Sequence, residues 1–283
     1  MMYEKYLLRA IQASLEAGRA ILDVYNSDFT VETKADSSPL TLADMRSHEI
    51  IVSHLRIFDI PILSEEGREV SYRERQKWEV LWIVDPLDGT KEFVSRNGEF
   101  TVNVALVKNG TVTVGVVYIP DKRILYFAAP GMGAYRLAGV QAKELSQVSK
   151  GTSVSHVVGD IVGRAQRLPV IRTMNIPLVV AGSRSHATAE LEKFIEEKRR
   201  EHGDVTVISA GSSLKFCLVA EGRADVYPRF GPTMEWDTAA GQAVAENAGA
   251  EVLDFATRFP LVYNKEDLRN PSFIVIKRGL SKM

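Results

Sequence analysis

The sequence predicts a layered protein of two domains, an α+β domain with an antiparallel sheet at residues 1–150 and a smaller α/β domain at residues 151–283. Two stretches with apolar residues at helical spacing open the chain. From residue 99 the apolar period becomes two, with turn residues between the runs, which is typical of an antiparallel meander. After residue 177, short apolar runs alternate with helical stretches, which is typical of an α/β domain.

The bulk properties exclude several classes of protein. The 283 residues are 45% apolar and 25% charged, which is typical of a globular domain. The net charge of −1 argues against a binder of nucleic-acid polymers. A single cysteine, Cys217, excludes an intramolecular disulfide and favours a reducing compartment. With no signal-peptide core and no membrane-spanning run, we expect a cytoplasmic protein without an integral membrane segment. Peripheral attachment to the inner face of the cell membrane, and a monomer or homodimer, are left open.

The N-terminal half is predicted element by element from its periodicity. Residues 3–26 form one amphipathic helix, residues 27–41 a loop, and Thr41 caps a second helix at 42–57. Short strands follow at 60–63 and 81–84, and the second should end at Asp85 because Pro86 cannot donate to a ladder. The meander has strands at 100–107, 112–118, 124–128 and 134–137.

The C-terminal half is less readable at its start. Residues 139–177 carry scattered apolar residues and several glycines, and we place the domain boundary there. Beyond this segment the predicted strands are 178–181, 205–208, 224–227, 252–253 and 273–276. The predicted helices are 187–201, 212–221 and 237–248. Cys217 falls on an apolar helix face and is predicted to be in the core.

Residues 85–90, Asp-Pro-Leu-Asp-Gly-Thr, carry the strongest chemical signal. They place two carboxylates at the end of a buried strand, beside Gly89, which can adopt a positive φ. Buried carboxylates need a partner, and Mg²⁺ is bound through carboxylate and carbonyl oxygens. Taken alone, however, Asp-Gly is more often a hairpin turn.

Four further acidic residues, at three places in the chain, change that interpretation. Glu65 and Glu66 follow a short strand, Asp44 opens the second helix, and Asp237 lies at a helix N-terminus. Each has an ordinary interpretation, as a solvated turn or a helix cap. Together with residues 85–90 they indicate a metal site.

The combination resembles the lithium-sensitive, magnesium-dependent phosphatase superfamily that includes the inositol monophosphatases. Residues 64–66, 85–93, 97–103, 211–222 and 227–233 are similar to the bacterial 3′(2′),5′-bisphosphate nucleotidases of that superfamily. The resemblance covers residues 5–138 and 178–276 and fails across 139–177. It implies a layered α-β-α-β-α sandwich.

The resemblance also implies a set of metal ligands for two Mg²⁺ ions: Glu65, Asp85, the carbonyl of Leu87, Asp88 and Asp237. Asp85 would bridge both ions, and Glu65 would also orient a water or a third ion. Thr90 and Asp44 would form a hydroxyl–carboxylate pair that takes the proton of the attacking water. Two metals at such a site can clamp the oxygens of a phosphoryl displacement.

Substrate contacts are implied for a second set of residues: Gly89, Thr90, His186, Ser212, Lys215, Arg229 and the helix start at Asp237. Lys215 and Arg229 suit a second phosphate group, although each alone would be read as a surface charge. The expected substrate is a small nucleotide, adenosine 3′,5′-bisphosphate, with 3′-phosphoadenylyl sulfate as a second.

Two alternatives stay open at this point. An inositol or other sugar phosphate phosphatase would share the metal site but would not need cations for a second phosphate. A catalytically silent RNA- or nucleotide-binding regulator would share the fold, but the presence of every acidic position argues against it.

Overall fold

The fold consists of eight α-helices and twelve strands within residues 3–27, 39–140, 153–170, 173–183 and 188–280, which the computed structural model describes. The helices are α1 Glu4–Tyr25, α2 Pro39–Leu55, α3 Tyr72–Arg75, α4 Thr90–Val94, α5 Val154–Arg164, α6 Ala189–His202, α7 Leu214–Glu221 and α8 Glu235–Asn247. The strands are β1 Ile62–Ser64, β2 Val80–Asp88, β3 Thr101–Lys108, β4 Thr111–Ile119, β5 Ile124–Ala129, β6 Gly133–Ala138, β7 Gln166–Arg167, β8 Leu178–Ser183, β9 Val205–Ala210, β10 Val226–Arg229, β11 Ala250–Asp254 and β12 Phe273–Lys277.

The first seven strands form one sheet in chain order, β1 to β7. Only the β1–β2 pair is parallel, and the remaining pairs are antiparallel, which confirms the predicted meander. Both faces of this sheet are covered. Val104 and Leu106 pack with α1 and α2 on one face, whereas Ala105 and Val107 pack with α7 and α8 on the other. Successive residues of a strand point to opposite faces, so this arrangement buries nearly all of β3.

The second sheet has the order β11-β12-β10-β8-β9. Phe216 of α7 and Ala245 of α8 pack against its inner face, and Leu191 and Phe194 of α6 pack against its outer face. The layers therefore alternate as α-β-α-β-α, as predicted. No helix in the described part of the chain is long and apolar enough to cross a membrane.

The start of the second helix differs from the prediction. The helix begins at Pro39, so Thr41 lies inside it and is not its cap. Proline is favoured in a first helical turn, where its missing N–H has no intrahelical partner. Most of the predicted loop, residues 28–38, lies outside the described residues.

The poorly readable segment contains a helix that packs on the first sheet's side. Val157, Val158 and Ile161 of α5 join the apolar core around α1, and β7 pairs with β6. The division at residue 150 stays a prediction. From these contacts we propose that the N-terminal domain extends to about residue 167.

Candidate active site

A bulge in β2 brings its two aspartates to the same face of the sheet. Asp85 lies opposite Asn103 of β3, and Asp88 lies opposite Thr101, so three steps on β2 match two on β3. One extra residue between the aspartates is the defining feature of a β-bulge. Pro86 lies in this bulge, where no ladder bond is lost. The prediction that the strand ends at Asp85 is therefore wrong, and β2 continues to Asp88.

Gly89 joins the bulged strand to α4. Its φ of +95° is in the left-handed region, as predicted. A Cβ at this position would overlap the hydroxyl oxygen of Ser212, which donates to the Asp88 carbonyl at 2.9 Å. Glycine is required because the two chain segments touch here.

Three carboxylates from separate elements meet at one end of the cleft formed around β2. Glu65 follows β1, Asp85 lies on β2, and Asp237 lies in the first turn of α8, with one oxygen of each within 4.8 Å of the others. The Glu65 N–H donates to the Val84 carbonyl at 3.2 Å, which fixes Glu65 beside Asp85. Asp85 Oδ2 is buried and has no hydrogen-bond partner among the described residues. Such an orphaned oxygen is costly unless a cation binds it.

The carboxyl groups of this cluster have raised pKa values, because burial and mutual repulsion disfavour their ionised forms. Burial, followed by the charges of Asp88 and Glu65, raises the pKa of Asp85 well above its ordinary value. Burial and the neighbouring acids raise the pKa of Asp237 to about 7. The same two causes raise the pKa of Glu65 to about 7. Although Glu65 as a whole residue is exposed, its carboxylate faces the other acids. A bound cation would reverse these shifts, because it stabilises the ionised forms. The donors present, all carboxylate oxygens, fit Mg²⁺.

Asp88 lies beside this cluster and is held by a separate set of donors. Its Oδ2 accepts from Ser213 Oγ at 3.1 Å, from Asn103 Nδ2 at 3.4 Å and from Thr101 Oγ1 at 3.4 Å. Burial raises the pKa of Asp88, while the charge of Lys215 and the hydrogen bonds from Ser213 and Asn103 act in the opposite direction. Ser213, Asn103 and Thr101 are not marked as site residues by any local pattern in the sequence. Only the pairing of β2 with β3 and the contact with α7 reveal them.

A cleft of about 350 Å³ opens onto the carboxylates. Many of the predicted site residues line it: Glu65, Asp85, Leu87, Asp88, Gly89, Thr90, Ser212, Lys215, Arg229 and Asp237. The Lys215 side chain is buried, and burial lowers its pKa to about 8. Its Nζ donates to the carbonyls of Ala210 at 3.1 Å and Ser212 at 2.7 Å, so it also holds the loop before α7.

Arg229 is oriented by the chain that follows it. Its Nε donates to the Gly231 carbonyl and its Nη2 to the Pro232 carbonyl, each at 3.2 Å. These bonds fix the plane of the guanidinium at the cleft wall. A guanidinium held in one plane is suited to bidentate recognition of a phosphate.

Of the remaining predicted residues, Asp44 and Thr90 are described by the structure and His186 is not. Asp44 is buried on α2, and burial together with the charges of Glu66 and Glu65 raises its pKa to about 8. Thr90 begins α4 at the cleft. No hydrogen bond joins these two described residues, so their pairing stays a prediction. His186 lies outside the described residues.

The layered architecture is shared with a solved structure of the inositol monophosphatase family. The crystal structure of CysQ from Bacteroides thetaiotaomicron, described as a bacterial member of that family, is 48% identical to this chain. It matches with a TM-score of 0.89 over 98% of each chain. The profile of the inositol monophosphatase family matches residues 2–280. The chain belongs to the inositol monophosphatase family.

Two curated relatives are both 3′(2′),5′-bisphosphate nucleotidases. The 3′(2′),5′-bisphosphate nucleotidase CysQ of Shigella flexneri is 45% identical over 269 residues, which cover 93% of this chain and 96% of the relative. The protein of the same name from Salmonella typhimurium is 42% identical over 273 residues, covering 95% and 98%. The similarity therefore spans both halves of the cleft.

Proposed function

We propose that this chain is a magnesium-dependent 3′(2′),5′-bisphosphate nucleotidase. It hydrolyses the 3′-phosphate of adenosine 3′,5′-bisphosphate to give AMP and phosphate, and it also accepts 3′-phosphoadenylyl sulfate. One observation carries the proposal: the clustered carboxylates of Glu65, Asp85 and Asp237, among them the unpartnered Asp85 Oδ2, open onto a cleft whose wall also holds Arg229 and Lys215. The nucleotidases of matching length and 45% identity support it.

The carboxylates would hold two or three Mg²⁺ ions. Their proposed ligands are Glu65, Asp85, the Leu87 carbonyl, Asp88 and Asp237. Bound Mg²⁺ would supply neutralisation of the phosphate charge and acidification of a coordinated water. The bulge at Pro86 serves this arrangement, because it directs Asp85 and Asp88 to the same cleft.

Other residues would move the proton and orient the substrate. Asp44, whose pKa is raised to about 8 by burial and nearby acids, would accept a proton passed through the Thr90 hydroxyl. Backbone N–H groups of Gly89 and Thr90, and the start of α8 at Asp237, would donate to the phosphate that leaves. Ser212, Lys215 and Arg229 would contact the nucleotide, with Lys215 and Arg229 at the 5′-phosphate and His186 near the base or ribose.

Phosphate release from a substrate panel tests the proposal. Adenosine 3′,5′-bisphosphate, 3′-phosphoadenylyl sulfate and inositol 1-phosphate would each be measured with Mg²⁺, with EDTA, and with added Li⁺. We expect a preference for the nucleotides, loss of activity in EDTA and inhibition by lithium. A higher kcat/KM for inositol 1-phosphate would replace the proposal with a sugar phosphate phosphatase. Absence of any release would favour a silent nucleotide-binding regulator. Cytoplasmic location, with or without peripheral membrane attachment, and a monomer or homodimer stay predictions.

A further inference from the structure

Ser213 is placed like a helix cap, but its side chain does not cap the helix. It precedes the first residue of α7, and its backbone has φ −71° and ψ 0° rather than the extended conformation of a usual cap. No backbone N–H of α7 donates to its hydroxyl. Instead Ser213 Oγ lies 3.1 Å from Asp88 Oδ2 and 2.9 Å from the Asp237 carbonyl. Because the Ser213 hydroxyl bonds to residues distant in the chain and not to the backbone of α7, its role lies outside the helix.

Asn103 completes this contact from the first sheet. Its Nδ2 lies 3.1 Å from Ser213 Oγ and 3.4 Å from Asp88 Oδ2, and the residue is 1% exposed. The Ser213 hydroxyl can therefore accept from Asn103 while it donates its single proton to Asp88 or to the Asp237 carbonyl. Asn103 and Ser213 thus form a buried bridge between β3 and α7.

The preceding serine holds the same aspartate at its main chain. Ser212 has φ +45°, which is uncommon for a residue with a Cβ. Its Oγ donates to the Asp88 carbonyl at 2.9 Å. Backbone strain of this kind is kept where the surrounding structure requires it. Asp88 therefore contacts Ser213 through its carboxylate and Ser212 through its backbone carbonyl.

We propose that Ser213 and Asn103 are positioning residues for the metal site. They hold the Asp88 carboxylate through Oδ2, and the Ser213 hydroxyl oxygen also lies 2.9 Å from the Asp237 carbonyl, which keeps that carboxylate beside the first turn of α8. Three side-chain donors among the described residues reach Oδ2, whereas no hydrogen bond from a described side chain reaches Oδ1. The inference rests on the magnesium site of the proposed function, and it adds two residues that do not themselves touch the ions.

Loss of Ser213 or Asn103 should weaken Mg²⁺ binding, because each holds a metal ligand in place without binding the ion itself. Without them, Asp88 can rotate, and the ion that Asp88 would hold loses a ligand oriented in advance. Loss of such a partner typically weakens metal affinity about 10- to 100-fold. At saturating Mg²⁺ the ligand is recovered, so kcat should return close to its original value.

The test is a direct measurement of Mg²⁺ binding to the whole chain without substrate. Isothermal titration calorimetry of Ser213→Ala and Asn103→Leu should give a Kd for Mg²⁺ about 10- to 100-fold weaker than that of the unmodified protein. The rise in Tm caused by Mg²⁺ should shrink in parallel. Thr113→Val is the matched control, because it removes a buried hydroxyl that donates to the Leu106 carbonyl at 2.9 Å on the same sheet. The control should bind Mg²⁺ normally.

The possible outcomes separate this inference from the proposed function. If the unmodified protein binds no Mg²⁺, the metal site and the proposed function both fall. If it binds Mg²⁺ and either folded variant binds equally well, the positioning role is overturned and the function stands. Should Ser213→Ala fail to fold, Asn103→Leu decides the question, together with Thr101→Val, which removes the third donor to Asp88. A reduced kcat that high Mg²⁺ does not restore would also contradict the inference.

Discussion

Asp85 and Asp88 are three residues apart in the chain but occupy neighbouring positions on one face of the sheet, opposite Asn103 and Thr101. In a regular strand, residues three apart point to opposite faces. The extra residue in the bulge removes this conflict and directs both carboxylates into one cleft. The metal site therefore depends on an irregularity in the strand as much as on the aspartates.

Asp85→Asn should abolish magnesium-dependent phosphate release while the protein stays folded. The substitution removes the charge of the most buried acid of the site cluster, which in the metal-free protein costs desolvation and repulsion. The Tm in EDTA should therefore be unchanged or higher, whereas the rise in Tm on adding Mg²⁺ should disappear. Asp204→Asn, at an exposed acid, is the control and should behave as the unmodified protein. Retained activity with normal metal content in the Asp85 variant would refute its role as a ligand.

The metal-free protein should lose stability as the pH rises from about 4 to about 8. The pKa of Asp44 is 3.8 in an ordinary environment and is raised to about 8 in the fold, and the pKa of Asp237 is raised to about 7. Between these values the folded state binds more protons than the unfolded state. The free energy of unfolding therefore falls with increasing pH and levels off above the folded-state pKa values.

Saturating Mg²⁺ should remove most of that dependence, because the cation keeps the carboxylates ionised at every pH in this range. Thermal unfolding at pH 5 and pH 8, in EDTA and in Mg²⁺, measures both effects. A Tm in EDTA that is higher at pH 8 than at pH 5 would contradict the assignment of raised pKa values to this cluster.

Gly89→Ala should destabilise the protein more than the same change at another left-handed glycine. Both Gly89 and Gly131 have positive φ, so alanine is strained at either position, by roughly 1–3 kcal/mol. A Cβ at Gly131 meets nothing within 4 Å, whereas at Gly89 it overlaps the Ser212 hydroxyl. The Tm of Gly89→Ala should fall further, and its activity should drop because the Ser212 contact with Asp88 is displaced. Equal losses of Tm and full activity in both variants would show that the close approach is unimportant.

Periodicity was sufficient to predict most of the strands and helices, because most of them bury a regular set of side chains, whereas the order of the layers was implied by the family resemblance. The meander from β3 to β6 and the alternation of helices and strands after residue 177 follow from periodicity. The helix α5 was not predicted. Its buried residues are few and its sequence has two glycines, Gly159 and Gly163, so the apolar pattern is short.

The metal ligands were suggested by residue type, but their supports were not. Asn103 and Ser213 are separated by 110 positions in the chain, and nothing local marks either as a partner of Asp88. Pro86 gave a misleading signal, because proline usually ends a strand and here it occupies a bulge. The sequence likewise does not indicate that Lys215 Nζ donates to two carbonyls, because these bonds depend on the conformation of the loop at residues 210–213.

Arg229→Ala should impair hydrolysis of adenosine 3′,5′-bisphosphate far more than that of inositol 1-phosphate. The carboxylate cluster serves the phosphate that leaves and treats both substrates alike, whereas the second phosphate needs a cation of its own. A hydrogen bond to a charged group contributes roughly 1.5–3 kcal/mol, so kcat/KM for the bisphosphate should fall by about 10- to 150-fold. Lys215→Ala should show the same preference, with an added loss on both substrates, because its Nζ also holds the carbonyls of Ala210 and Ser212. Arg19→Ala, at an exposed position on α1, is the control. Equal losses on both substrates for Arg229→Ala would mean that Arg229 supports the cleft through its bonds to Gly231 and Pro232 rather than binding the second phosphate.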